Sequence, residues 1–256
     1  LKRERTGLVK IASIIFFLFL WHLIASLELF EIPTPLKTAE TFFKLLTVGE
    51  PVLGRTLQRH VISSLGRVLK GSLIAFSIGI PLGIAMARSE KFEGFTSTLI
   101  ELFRPIPPLA WIPLAYIFFR HLENTSVYAQ IFIVFVGAFF PAVLNTISGV
   151  KSVDPILIDA ARTFGATRFQ ILTKVILPAS LPMIITGVRV GLGVGWMSII
   201  AAEMIGGSAS GIGFFIWTMY YIGGDTAKII SGMIAIGIVG YLMNEGLLWI
   251  ERRRAY

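Results

Sequence analysis

Hydrophobic positions in this chain fall in long blocks rather than in strict alternation, and short polar stretches punctuate them. Blocks near or above the ~20 residues needed to cross hydrocarbon predict membrane-spanning helices. The first runs from Leu8 to Leu27, with Trp21 and His22 toward its far end, where interfacial anchors are expected. Glu28 to Arg59 reads as a connection: Pro33 and Pro35 mark extended chain, Thr38 to Leu46 fits a short amphipathic helix, and Pro51 starts another. The second span is densest from Gly71 to Ala87, and crossing length puts its start near Val61. Arg67 and Lys70 then face a groove, a partner or the headgroups.

The third span, Thr98 to Phe119, contains Arg104-Pro105-Ile106-Pro107-Pro108 and then Pro113. A regular helix cannot supply its backbone bonds across these prolines. Irregular backbone at membrane depth requires protein neighbours or a polar cavity around it. Val127 to Ile147 is the fourth span, with a kink expected near Pro141. Leu181 to Ile205 is the fifth, and Ala227 to Ile250 the sixth. In the fifth, Gly187, Gly191 and Gly195 share one helix face, which suits close packing within the monomer or a subunit or pathway contact. Between the last two spans, Gly206 to Gly224 starts with a flexible segment. Its Phe214, Phe215 and Trp217 read as interfacial or re-entrant.

Composition agrees with a membrane protein. Hydrophobic residues make up 55% of the 256 and charged residues 15%, with 20 Phe and a mean hydropathy of +0.78. Soluble domains carry about 25% charged residues. The predicted class is therefore an all-α integral membrane protein. The absence of cysteine excludes disulfides and thiolate metal sites.

The formal charge of +8 is better read from its placement than from its size. Lys2, Arg3, Arg5 and Lys10 precede the first block, and Arg252, Arg253 and Arg254 follow the last. The positive-inside rule puts both termini in the cytoplasm and demands an even number of spans, in agreement with six. In that topology Lys37, Lys44, Arg55 and Arg59 fall outside, as solvated surface, as contacts for an acidic receptor lobe, or as a bias toward anions.

One polar stretch organises the rest: Asp154 to Pro178, between the fourth and fifth spans. Asp154 caps a helix, Pro155 takes its first position, Gly165 is an internal break, and Pro178 is expected to end the stretch. Asp159-Ala160-Ala161, three residues, Gly165, nine residues, and Val175-Ile176-Leu177-Pro178 resembles the cytoplasmic signature loop of binding-protein-dependent ABC importer permeases. Asp159 stands for the usual Glu and Val175 for the usual Ile, changes that keep charge or shape. Further segments resemble the nitrate/sulfonate/taurine branch: Arg162 to Ala166, Leu177 to Pro182, Gly187-Val188-Arg189, Trp196, and Ala202-Glu203-Met204-Ile205. The resemblance covers roughly residues 55 to 250.

The resemblance implies a type I importer permease fold. Residues 1–54 would hold the N-terminal span and external connection, and 55–256 a permease core of five spans. It implies a short coupling helix, Pro155 to Thr163, that meets an ATPase through Asp159, Ala160, Ala161, Gly165, Val175, Leu177 and Pro178. It also implies a second permease chain, most simply a homodimer, with two ATP-binding subunits that carry ATP and Mg and an external substrate-binding protein. The expected location is a bacterial inner membrane, surrounded by lipid and without nucleic acid.

The chain lacks chemistry of its own. No Gly-rich segment continues into the Gly-Lys-Ser/Thr that holds phosphates, and no nucleophile or metal cluster stands out. It is therefore not expected to be an enzyme or to bind a cofactor. Glu101, Arg104, Asn145, Arg189 and Glu203 are polar groups in or beside spans. Charges there are costly in lipid, so these are candidates for a pathway or for structural pairs. The branch implies a small anion as cargo: an aliphatic sulfonate, taurine, nitrate or bicarbonate. The alternatives are a pyrimidine-type vitamin precursor, or a channel or secondary transporter.

Overall fold

The computed structural model describes the backbone of residues 2–27, 31–223 and 225–254. Side chains are described for 9, 11–27, 31–223, 225–249 and 251, so the basic residues at both termini lie outside the described side chains. Eleven helices follow one another among these residues: α1 Lys2–Ser26, α2 Pro35–Thr47, α3 Leu57–Arg88, α4 Glu90–Phe103, α5 Ile112–Phe119, α6 Thr125–Lys151, α7 Pro155–Thr163, α8 Arg168–Ile171, α9 Leu177–Ile205, α10 Ile212–Tyr221 and α11 Thr226–Arg254.

Four stretches are long and apolar enough by themselves to cross a membrane: Leu57–Arg88, Thr125–Lys151, Arg168–Ile205 and Thr226–Trp249. A fifth crossing requires joining Glu90–Phe103 to Pro108–Phe119, which meet at 91°. The prolines of residues 105–108 cause that bend, as their spacing predicts, because each removes a backbone donor. Of the expected first span, the apolar part Ile11–Ser26 is shorter than those four. Its Phe16 and Phe17 point outward, each 62% exposed.

α6 lies at the centre, packed along both α3 and α9. Glycines make these approaches close. A Cβ on Gly71 would sit 2.6 Å from the Ile131 carbonyl oxygen, and one on Gly187 would sit 2.7 Å from Asn145 Cβ. The face of Gly187, Gly191 and Gly195 thus packs within the chain, against Pro141, Ala138 and Val134 of α6. Without such small residues the helix backbones could not meet. Gly71→Leu is expected to abolish accumulation of the folded chain, measured as monodisperse yield after detergent extraction, because a side chain there collides with backbone. Normal yield would contradict this packing.

Several prolines break less than the sequence suggests. Pro81, Pro141 and Pro182 all lie inside continuous helices. Neighbouring helices in a bundle make this tolerable. α3 starts at Leu57, earlier than the expected Val61, and Ser89 alone separates α3 from α4. Pro178 does not end the polar stretch. It falls in the first positions of α9, which α8 enters through one π-helical turn, Leu172–Ile176.

The last connection is also more ordered than its glycines predict. Ile212–Tyr221 is helical, and Phe215 is fully buried in the main apolar cluster with Leu57, Ile199 and Met219. α2 docks on α11 at the same end, and two ion pairs flank the contact: Lys37 with Asp225, just before α11, at 3.9 Å, and Lys228 with Glu50, just after α2, at 2.9 Å.

Candidate functional site

The signature loop forms one end of the bundle. Asp154 caps α7 by accepting a hydrogen bond from the Ile156 N–H at 2.9 Å, and Pro155 starts the helix. The helix closes on a Schellman arrangement. The Gly165 N–H donates to the Arg162 carbonyl at 2.9 Å, and the Ala166 N–H reaches back to Ala161 at 3.0 Å. Gly165 has φ +76°, the left-handed conformation this closure requires and side chains resist. Thr167 and Gln170 then form a capping box that starts α8.

α7 has two unlike faces. Ile158, Ala161 and Ala166 pack inward against a cluster of Val150, Val153, Ile171 and Ile176. Ile156 is 72% exposed and Phe164 91%, and Asp159, Ala160 and Gly165 are exposed with them. Arg162 holds Asp159 at 3.0 Å. Phe164 thus stands clear of the chain at the tip of a polar loop. Val175 and Leu177 are half-buried where the chain turns into α9, and Pro178 is exposed there. The signature therefore divides into a protruding part, Asp159, Ala160 and Gly165, an inward-packed Ala161, and a root, Val175 to Pro178.

The five pathway candidates separate. Arg104 and Asn145 meet on one cavity of about 380 Å³, with Pro108, Gly137 and Val190 among its walls. Asn145 donates one amide N–H to the Pro141 carbonyl at 2.9 Å. Asn145 is thus a polar group on the wall of a cavity whose cation is Arg104. Glu101 is exposed on α4. Arg189 lies 3.6 Å from Glu251 of α11, which also accepts from Thr186 at 3.2 Å.

Glu203 is engaged most fully. Its buried carboxylate takes Arg67 at 2.6 Å, the Ser64 hydroxyl at 2.8 Å and the Gly213 N–H at 3.0 Å. Arg67 also donates to the Ser210 carbonyl and hydroxyl, each at 2.8 Å. His60 shares a hydrogen bond with Gly211, and the Tyr116 hydroxyl donates to the Gly206 carbonyl. This network fixes the 206–213 segment to α3, α5 and α9 at the end opposite the signature loop. Arg67 does not snorkel, and the segment's glycines are held by side chains. The available signal was two buried charges of opposite sign on helices that must pack.

A family model described as "Binding-protein-dependent transport system inner membrane component" matches residues 79–253. The taurine transport system permease protein TauC of Escherichia coli strain K12 is 37% identical over 256 residues, covering 98% of this chain and 90% of its own. The bicarbonate transport system permease protein CmpB of Synechococcus elongatus is 35% identical over 253 residues, covering 96% and 88%. Among solved structures, an inward-facing MetNI methionine ABC transporter chain superposes with a TM-score of 0.71 at 25% identity, covering 77% of this chain and 95% of that one.

Proposed function

The chain belongs to the family of binding-protein-dependent transport system inner membrane components, and from that membership we propose that it passes a small anion, an aliphatic sulfonate such as taurine ahead of nitrate or bicarbonate. It is a multi-pass permease subunit of an ABC importer, and ATP is hydrolysed in separate subunits. The observation that carries the coupling role is the exposed tip of α7, where Phe164, Asp159 and Ala160 stand clear of the bundle. That tip seats in an ATPase groove, so the signature loop and both termini face the cytoplasm. Two copies of this chain stand over two ATPases, and an external receptor docks at the opposite end.

An anion is favoured by charge. Lys44, Arg55 and Arg59 are exposed at the receptor end and have no ion-pair partner among the described residues. Arg104 brings a further cation to the cavity of about 380 Å³. The named relatives carry taurine and bicarbonate. A thermal-shift screen of the cognate receptor against sulfonates, taurine, nitrate, bicarbonate and pyrimidine precursors tests the cargo, followed by ATP-dependent uptake of the hit into vesicles. Uptake of a neutral precursor with no anion carried would overturn it.

Three expected results follow from this arrangement. Native mass measurement of the extracted complex should find two permease chains, and a single chain with two ATPases would refute the dimer. Arg104→Ala should raise the KM for uptake about fivefold or more while ATPase assembly stays normal. Arg189→Ala should change uptake less, because its partner is Glu251 rather than the cavity. Unchanged uptake kinetics in the Arg104 variant would remove this cavity from the pathway.

A further inference from the structure

Beneath the signature loop lies a second cavity, of about 670 Å³, that the coupling role does not use. Three arginines rim it: Arg88 at the end of α3, Arg162 in the last turn of α7, and Arg168 at the start of α8. Its other walls are apolar, with Val150, Ile158 and Ile171 among them. We propose that this cavity binds the phosphate headgroup of an anionic phospholipid at the inner membrane surface.

The guanidinium groups supply the first argument. Among the described residues, neither Arg88 nor Arg168 has a side-chain hydrogen bond or an ion pair. Arg162 gives one nitrogen to Asp159 and keeps its other donors. A guanidinium fork matches phosphate oxygens in pairs. Three arginines lining one concavity, two of them unpaired among the described residues, offer a phosphate-bearing anion several forks at once.

Position chooses the source of that phosphate. Arg88 ends a membrane-crossing helix, so the rim lies at headgroup depth in the orientation proposed above. Basic pockets between helices on the cytoplasmic side recognise anionic lipid headgroups. The apolar walls accept the glycerol and upper acyl carbons, which a free anion does not possess. The cavity also lies on the inward face of α7, with Ile158, and not on the face that carries Ile156 and Phe164. An ATPase seated on the outward face leaves it open to lipid. A bound headgroup would bridge α3, α7 and α8, and so hold the coupling helix against the bundle.

The inference rests on the orientation and coupling role proposed above, and its test separates the two. The complete complex, wild type and Arg88→Gln/Arg168→Gln, is placed in nanodiscs of phosphatidylcholine alone or with phosphatidylglycerol. Lipids retained through detergent extraction are counted by native mass spectrometry, and ATP turnover is measured in both bilayers. The wild type should retain phosphatidylglycerol and lose about fivefold of its turnover in the neutral bilayer. The double variant should retain about tenfold less and turn over ATP equally in both.

Equal retention and equal lipid dependence in the two proteins would overturn the site. So would loss of the ATPase from the variant in both bilayers, which would make these arginines ATPase contacts. Inorganic phosphate restoring wild-type turnover in the neutral bilayer would assign the cavity to a free anion and overturn the lipid. A wild type that holds no ATPase in any bilayer would instead refute the coupling role, and lipid retention by the permease would still decide the site.

Discussion

Gly165→Val is expected to abolish ATP-dependent uptake while leaving the membrane bundle folded. The reason is conformational. A Cβ at Gly165 would meet no atom within 4 Å, so no clash within this chain opposes a side chain. The obstacle is φ +76°, where a β-branched residue is a severe outlier. Valine would break the Schellman closure, releasing the Ala161 and Arg162 carbonyls and swinging the α7 tip. The cost to the loop is about 2 kcal/mol, enough to populate other loop conformations about thirtyfold more.

Gly165→Asn separates this explanation from simple crowding against an ATPase. Asparagine tolerates the left-handed region, so it should keep the tip in place and retain uptake well above the valine variant. Receptor-stimulated ATP turnover in reconstituted vesicles reads the same effect. If valine leaves uptake and stimulation intact, the coupling role assigned to this tip is wrong. If asparagine fails as badly as valine, the open space around Gly165 is filled by a partner and crowding decides.

The sequence made this site legible because its residue types encode local backbone: a capping Asp154, Pro155 at the helix start, and Gly165 where φ turns positive. Long apolar blocks gave four of the six expected spans outright, and the proline cluster of residues 105–108 gave the 91° break within a fifth. Other features depend on partners far away in the chain. Pro141 has the same chemistry as the breaking prolines, yet α6 runs on through it, packed between α3 and α9. The glycine face of α9 could be recognised, but not its partner, because helix pairing is set by tertiary fit. The cavity that Arg88, Arg162 and Arg168 line also escaped, since periodicity does not say that the end of α3 meets the start of α8 there.

The pairing of Arg67 with Glu203 was the largest omission, across 136 positions of sequence. Each residue alone had several roles open to it, Arg67 in a groove, at a partner or at the headgroups, and Glu203 in a pathway or a structural pair. Depth would have joined them. Arg67 lies toward the start of α3, and Glu203 just before the end of α9. Those two helix ends are at the same side of the bundle once the signature loop places the start of α9 at the other. A buried carboxylate and a buried guanidinium at one depth then have strong reason to meet.

Glu203→Ala should consequently destabilise the chain by about 3–5 kcal/mol, since a buried Arg67 loses its counter-charge. The Gly213 N–H loses its acceptor, and the start of α10 loses one of its ties to α9. In thermal unfolding of the detergent-extracted protein, this corresponds to a fall of about 10 °C or more. Arg67→Met/Glu203→Gln provides the contrast. It removes both charges, keeps comparable volume, and leaves the introduced side-chain amide carbonyl to accept from Ser64 and Gly213. Replacing a buried ion pair with neutral groups is often close to neutral, so the double variant should recover most of the loss. A single variant that melts within about 2 °C of the wild type would deny the pair its structural weight. A double variant as unstable as the single would mean that packing at the site, rather than the unpaired charge, sets the cost.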